Sequence, residues 1–215
     1  MRTFIIILFA VLGVRQCAFG KSLEEILQAM PSSFIPYLTD NQREEMSKFT
    51  EGMKSVEVNN IFNGKTAVDT ISSDFAVIRL NAVADMQVRL LSAPDSSQIV
   101  CLVKTVRKPL AESSISFYTT DWQPVESRFG LPDIGDAGVM MQMLVERPDS
   151  IDAIRFNRLC SYIEPVMVSA DCSNDDNIIT YSLSLPFVTK DKADEIKAVI
   201  KKKSFKWDGK TFNEY

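Results

Sequence analysis

Three acids, Asp121, Asp133 and Asp136, flank or lie within an irregular stretch at 126–137, and they are the residues best placed for acid–base chemistry. A pair of such carboxylates about 5–10 Å apart could hydrolyse a glycosidic bond. Histidine is absent. That excludes Ser-His-Asp and Cys-His catalysis, any histidine-containing zinc or iron site, and the commonest general base. The acids of the irregular stretch lack the alternating oxygen-ligand spacing of a calcium loop. Four cysteines are present: Cys17, Cys101, Cys160 and Cys172. Cys101 lies in an apolar run with Ile99, Val100, Leu102 and Val103 and reads as a small buried hydrophobe. Cys160 and Cys172 could pair if the intervening chain doubles back. Met140, Met141 and Met143 could offer soft ligands or a sticky surface, but methionine is foremost a core filler. The polar tip at 173–176 reads as a solvated turn, because Asn and Asp favour turns for local backbone reasons. No catalytic, cofactor or metal residue is assigned.

Any such group must be held by a fold, and the ends of the chain say where that fold would work. Arg2, the apolar run 3–14, and small residues at Ala18 and Gly20 have the order of a secretory signal, with cleavage expected between Gly20 and Lys21. The run is short for a membrane span, so no transmembrane segment is expected after signal removal. Cys17 raises a lipoprotein anchor, which the preceding Val14, Arg15 and Gln16 disfavour. Removing 1–20 takes away Arg2 and Arg15 and leaves 22 basic against 28 acidic residues, a net charge of −6. Bulk charge therefore disfavours nucleic acid as a partner. A periplasmic or secreted location is expected.

The sheet that would carry the site is written between 56 and 122. Strands are predicted at 56–62, 65–71, 75–81, 86–91, 98–106 and 114–118. Asn63-Gly64 predicts a two-residue hairpin turn with positive φ at both positions. Connections this short require antiparallel neighbours. The strand at 98–106 is apolar on both faces and is the candidate for the centre of the sheet. Ser22 with Glu25, and Thr39 with Gln42, are capping boxes that open two helices. The first has an apolar face of Leu23, Ile26, Leu27 and Met30; the second turns Met46, Phe49 and Met53 inward, and Gly52 weakens its end. Trp122 is placed in a core corner. After an apolar segment of undetermined type at 138–146, a helix is expected from Arg147-Pro148-Asp149 to about Glu164, with Ile151, Ile154, Leu159 and Ile163 inward. Strands follow at 166–171 and at 177–185, the latter ended by Pro186. A last helix runs from Thr189 to about Lys201, where Lys201, Lys202 and Lys203 complement its dipole. A closing hairpin turns at Asp208-Gly209, with Phe205 and Trp207 packed on that helix.

Several stretches resemble an exported family of unknown function from gut-dwelling anaerobic Gram-negative bacteria. They are Met30-Pro31-Ser32-Ser33 with Pro36-Tyr37-Leu38-Thr39, the run Phe117 to Trp122, Ser184-Leu185-Pro186, and the run Phe205 to Phe212. The resemblance implies a periplasmic or outer-surface protein. It implies no reaction and transfers no functional residue.

The sequence is thus that of an α+β protein. It has a largely antiparallel sheet, a β-meander plus C-terminal hairpins, and helices packed mainly on one side. Residues 21–215 form one domain or two subdomains meeting near 124–138. The leading functional expectation is a non-enzymatic module that binds an envelope protein or small ligand. The alternative is a carboxylate-dependent hydrolase acting on glycans.

Overall fold

The computed structural model describes residues 20–49, 55–185 and 188–215. The expected signal segment, Cys17, Gly52, Met53 and Pro186 lie outside the described residues.

Helix α1 (Leu23–Gln28) begins at a complete capping box. The Ser22 amide donates to Glu25 Oε2 at 2.8 Å and the Glu25 amide donates to Ser22 Oγ at 3.2 Å. Helix α2 (Asp40–Ser47) repeats the device with Thr39 and Gln42. Each box satisfies amides that the first helical turn leaves without partners.

Seven antiparallel strands follow in sequence order: β1 (Val56–Asn59), β2 (Lys65–Ile71), β3 (Phe75–Asn81), β4 (Ala84–Ser92), β5 (Gln98–Val106), β6 (Glu112–Thr119) and β7 (Pro124–Val125). A second antiparallel sheet has the order β11-β10-β9-β8, built from β8 (Val168–Cys172), β9 (Ile178–Leu183), β10 (Lys203–Trp207) and β11 (Phe212–Glu214). Helices α3 (Ala137–Leu144), α4 (Ala153–Cys160) and α5 (Lys190–Lys197) accompany it. The expected α+β class with a largely antiparallel sheet is what the chain adopts. No helix of the described residues is long and apolar enough to cross a membrane.

Alternation along the meander sends side chains to two different cores. On one face, Ile78, Leu80, Met86, Val88, Val100 and Leu102 pack under Leu23, Ile26 and Met46 of the N-terminal helices and Phe49 just beyond them. On the other, Phe75, Leu91, Cys101, Val103 and Phe117 meet Ala170, Cys172, Ile179, Tyr181 and Phe205 of the second sheet. Helices α3, α4 and α5 add Leu144, Leu159 and Ile196 to that second core.

The centre of the seven-stranded sheet is β4, with β5 beside it. Apolarity pointed to β5, whose Val100 to Val103 are indeed buried, although Ile99 is only half-buried. β4 was hidden by its inner row of polar residues. Gln87 accepts from the Cys172 amide at 2.8 Å and donates to Asp171 at 2.9 Å. Arg89, 2 % exposed, pairs with Asp74 at 2.9 Å and donates to the carbonyls of Ser173 and Asn174. The turn at 173–176, read as merely solvated, is therefore a docking point for a buried guanidinium.

Other expectations need correction. The β1–β2 connection is five residues long, not two. Asn63 alone of the pair has positive φ, and the Asn60 side chain accepts from the Phe62 and Gly64 amides at 3.0 Å each. That buried side chain, not a tight turn, closes the hairpin. The helix expected from Arg147 starts at Ala153, because Asp152 supplies the cap by accepting from the Arg155 amide. Ile154 is 79 % exposed rather than inward. Helix α5 ends at Lys197, so the basic run lies beyond it; Lys201 pairs with Glu146 and Lys203 with Glu214. Cys160 and Cys172 do not pair; both are free thiols, as is Cys101. Phe205 and Trp207 find aromatic neighbours: Tyr181 lies 5.2 Å from Phe205, while Phe212 and Phe129 lie 5.2 and 5.6 Å from Trp207. Helix α5 shares that core through Ile196, and Val199 just beyond the helix joins it.

Candidate functional site

The seven-stranded sheet stops abruptly beyond β6. Strand β7 pairs with it only at Phe117–Val125 and Tyr118–Pro124. Pro124 has no amide to donate, and the chain leaves the sheet after Val125. The Thr119 amide donates to the Gln123 carbonyl across this edge at 2.9 Å. In an antiparallel ladder the backbone groups of alternate residues face alternate neighbours. Those of Thr119, Phe117, Ile115 and Ser113 therefore face away from β5. Phe117 and Thr119 are satisfied. Among the described residues, nothing pairs with the outward amide and carbonyl of either Ser113 or Ile115.

These groups open onto a recess of about 510 Å³ between β6 and the segment 126–135. The structure anchors this segment at several points. Phe129 stacks edge-on against Phe117 at 5.0 Å, and its carbonyl accepts from the Phe212 amide at 2.7 Å. Leu131 is buried. The Tyr181 hydroxyl donates to the Pro132 carbonyl at 3.2 Å, and burial pushes that hydroxyl far up, so it stays protonated. Gly130 has φ +85°, and a Cβ there would stand 2.8 Å from the Phe212 carbonyl. Only glycine fits without strain. The far wall of the recess is thus a braced loop.

Charge in the wall is mostly negative: Glu112, Glu126 and Asp133 against Arg128. Arg128 pairs with Asp133 and holds its carboxyl below the usual carboxylate range.

A second recess, about 380 Å³, lies between α1, α2 and strands β2 and β3. Among its polar residues, Arg43 is committed to the carbonyls of Ser32 and Ile35 at 3.0 and 2.6 Å, so it serves as a clamp on the chain between the helices. Ile61, Phe62, Val83 and Val106 are exposed at turns or strand ends along one end of the meander; singly exposed apolar residues are ordinary.

A family model described as "Protein of unknown function (DUF3256)" matches residues 16–212. The chain belongs to the DUF3256 family. A solved structure, that of a domain of an uncharacterized protein from Porphyromonas gingivalis W83, resembles this DUF3256 chain with a TM-score of 0.71 at 19% sequence identity, over 90% of this chain and 97% of that one. The similarity is one of fold. No curated protein matches the chain.

The fold distributes the three candidate acids of this DUF3256 protein. Asp121 pairs with Lys21 at the β6–β7 turn. Asp133 lines the recess in its pair with Arg128. Asp136 caps α3 by accepting from the Val139 amide at 3.0 Å. Each has a structural partner, and only Asp133 of the three lines the recess. Among the described residues, no cluster of three or more Cys, Asp or Glu could hold a metal ion. Sequence reasoning missed the edge groups because backbone has no residue signature. The available signal was Pro124, which marks a strand unable to extend the ladder.

Proposed function

We propose that this DUF3256 chain is an exported binding module that captures an extended polypeptide segment of its partner. The segment adds as a strand to the free edge of β6. Export is supported by Arg2, the apolar run 3–14 and the small residues Ala18 and Gly20, and it implies a periplasmic or secreted protein. N-terminal sequencing of the exported product should begin at Lys21; a lipid-modified Cys17 at the terminus would contradict it.

The observation that carries the binding reading is the pair of outward amide and carbonyl sets at Ser113 and Ile115, facing a braced recess. Strand addition to an exposed edge is a recurrent way to bind extended chains. Four backbone hydrogen bonds at roughly 0.5–1.5 kcal/mol net each would give about 2–6 kcal/mol. Association and ordering consume much of that, so side-chain contacts must supply the remaining affinity. The acidic balance of Glu112, Glu126 and Asp133 favours a segment carrying Lys or Arg.

Selection of displayed random peptides against the full chain tests this. Wild type should enrich extended sequences with basic residues. Ile115→Pro removes an amide that faces away from β5, so the β5–β6 ladder stays whole. That variant should lose at least about tenfold in peptide affinity, the equivalent of one good hydrogen bond. If it remains folded and captures the same peptides equally, the edge is not the site.

A further inference from the structure

Two of the three described cysteines face one another between the sheets. Cys101 on β5 stands opposite Arg89 of β4, on the face turned to the second sheet. Cys172 ends β8, and its amide donates to Gln87 of β4 at 2.8 Å. Arg89 reaches across to the carbonyls of Ser173 and Asn174 immediately beyond. Gln87 and Arg89 thus pin the end of β8 directly over Cys101. Both cysteines are buried in the same core, where β8 packs across β5, and the Cys172 side chain is the largest influence pushing the Cys101 thiol up. Cys160, half-buried at the end of α4, is the one left over.

We propose that Cys101 and Cys172 are a modification site that closes as an inter-sheet disulfide when the chain folds in the presence of a small-molecule or protein disulfide donor. The step is thiol–disulfide exchange. The Cys172 thiolate attacks the donor disulfide, forming a mixed disulfide and releasing one donor thiolate, which takes up the proton that Cys172 lost. The Cys101 thiolate then attacks the Cys172 sulfur. The Cys101–Cys172 bond forms, and the second donor sulfur leaves with the bonding pair and takes up the remaining proton. Two cysteine thiols are oxidised and one donor disulfide is reduced to two thiols. The neighbouring Cys172 side chain and, after it, burial push the Cys101 thiol well up in the folded protein, so exchange belongs to folding, before the sheets close over the pair. The bond would tie β5 to β8 and close a long loop, a placement that suits an oxidising compartment. It does not depend on the function assigned to the β6 edge.

The test refolds the reduced, full-length chain carrying Cys17→Ser from denaturant in a glutathione and glutathione-disulfide buffer. The folded fraction is isolated and its free thiols are alkylated under denaturing conditions. Digestion with trypsin and chymotrypsin cuts after Tyr162 and so separates Cys160 from Cys172. A peptide containing Cys101 cross-linked to one containing Cys172, with Cys160 alkylated, is the expected result. Cys160→Ala should leave that link intact. Folded protein with all three thiols alkylated, or with Cys160 in the link, would overturn the proposal.

Discussion

The two ends of the seven-stranded sheet are finished differently. At β1 the strand is four residues long, and the chain around its end is taken up locally. The Gln42 side chain donates to the Asn59 carbonyl, and the Ile61 amide donates to the Tyr37 carbonyl at 3.1 Å. The charged Glu57, paired with Lys65 and Arg79, stands along the remainder. Short, charged and covered is how soluble proteins discourage unwanted pairing at an edge. At β6 the strand is eight residues long and only its last part is paired by β7. Ser113 and Ile115 face a recess with a fixed far wall. One end is short, charged and partly covered. The other is kept open by a loop that is itself braced, a costly arrangement for a mere terminus.

The largest expected effect comes from removing the brace. Trp207 supports Phe129 and donates from its indole to the Ser92 carbonyl at 2.9 Å. Trp207→Ala should cost about 3–5 kcal/mol. The melting temperature should fall by roughly 10 °C for a chain this size, measured by calorimetry. Peptide capture at β6 should weaken with it, while the β1 end stays ordered. At that other end, Gln42→Ala removes both halves of its role, the return bond to the Thr39 amide and the bond to Asn59. A loss of about 1 kcal/mol is expected by chemical denaturation. A loss near zero would show that the β1 edge is not held by this side chain.

The smallest effect concerns charge in the recess. Arg128 holds the Asp133 carboxyl below its ordinary value. Stability from that pair is therefore present above about pH 4, the ordinary aspartate range, and fades as pH falls through the depressed folded value. In Arg128→Ala the Asp133 midpoint should rise towards the ordinary range by NMR titration. An unchanged midpoint would mean that the Gly135 amide, which also donates to this carboxylate, is sufficient.

Most of the meander was legible because alternation and turn residues repeat along it, and both N-terminal caps were legible from two residue types at fixed spacing. The inner row of β4 was not. Nothing in the sequence matches Asp85, Gln87 and Arg89 to their partners Arg107, Asp171 and Ser173, which lie far along the chain. The same distance misdirected Cys172 towards Cys160, its neighbour in sequence, rather than Cys101, its neighbour in space. The irregular stretch drew attention through its acids. What it contributes is a wall, set by Phe129, Gly130 and Leu131, opposite backbone groups that no motif describes.

Residue-resolved hydrogen exchange along β6 tests the open edge most directly. The Ser114 and Ser116 amides face β5, opposite Lys104 and Leu102, and should exchange slowly. The Ser113 and Ile115 amides should exchange faster by orders of magnitude in the free protein, and slow sharply when a selected peptide is bound. An Ile115 amide as protected as Ser116 in the free protein, or peptide-induced protection that bypasses β6, would contradict the account.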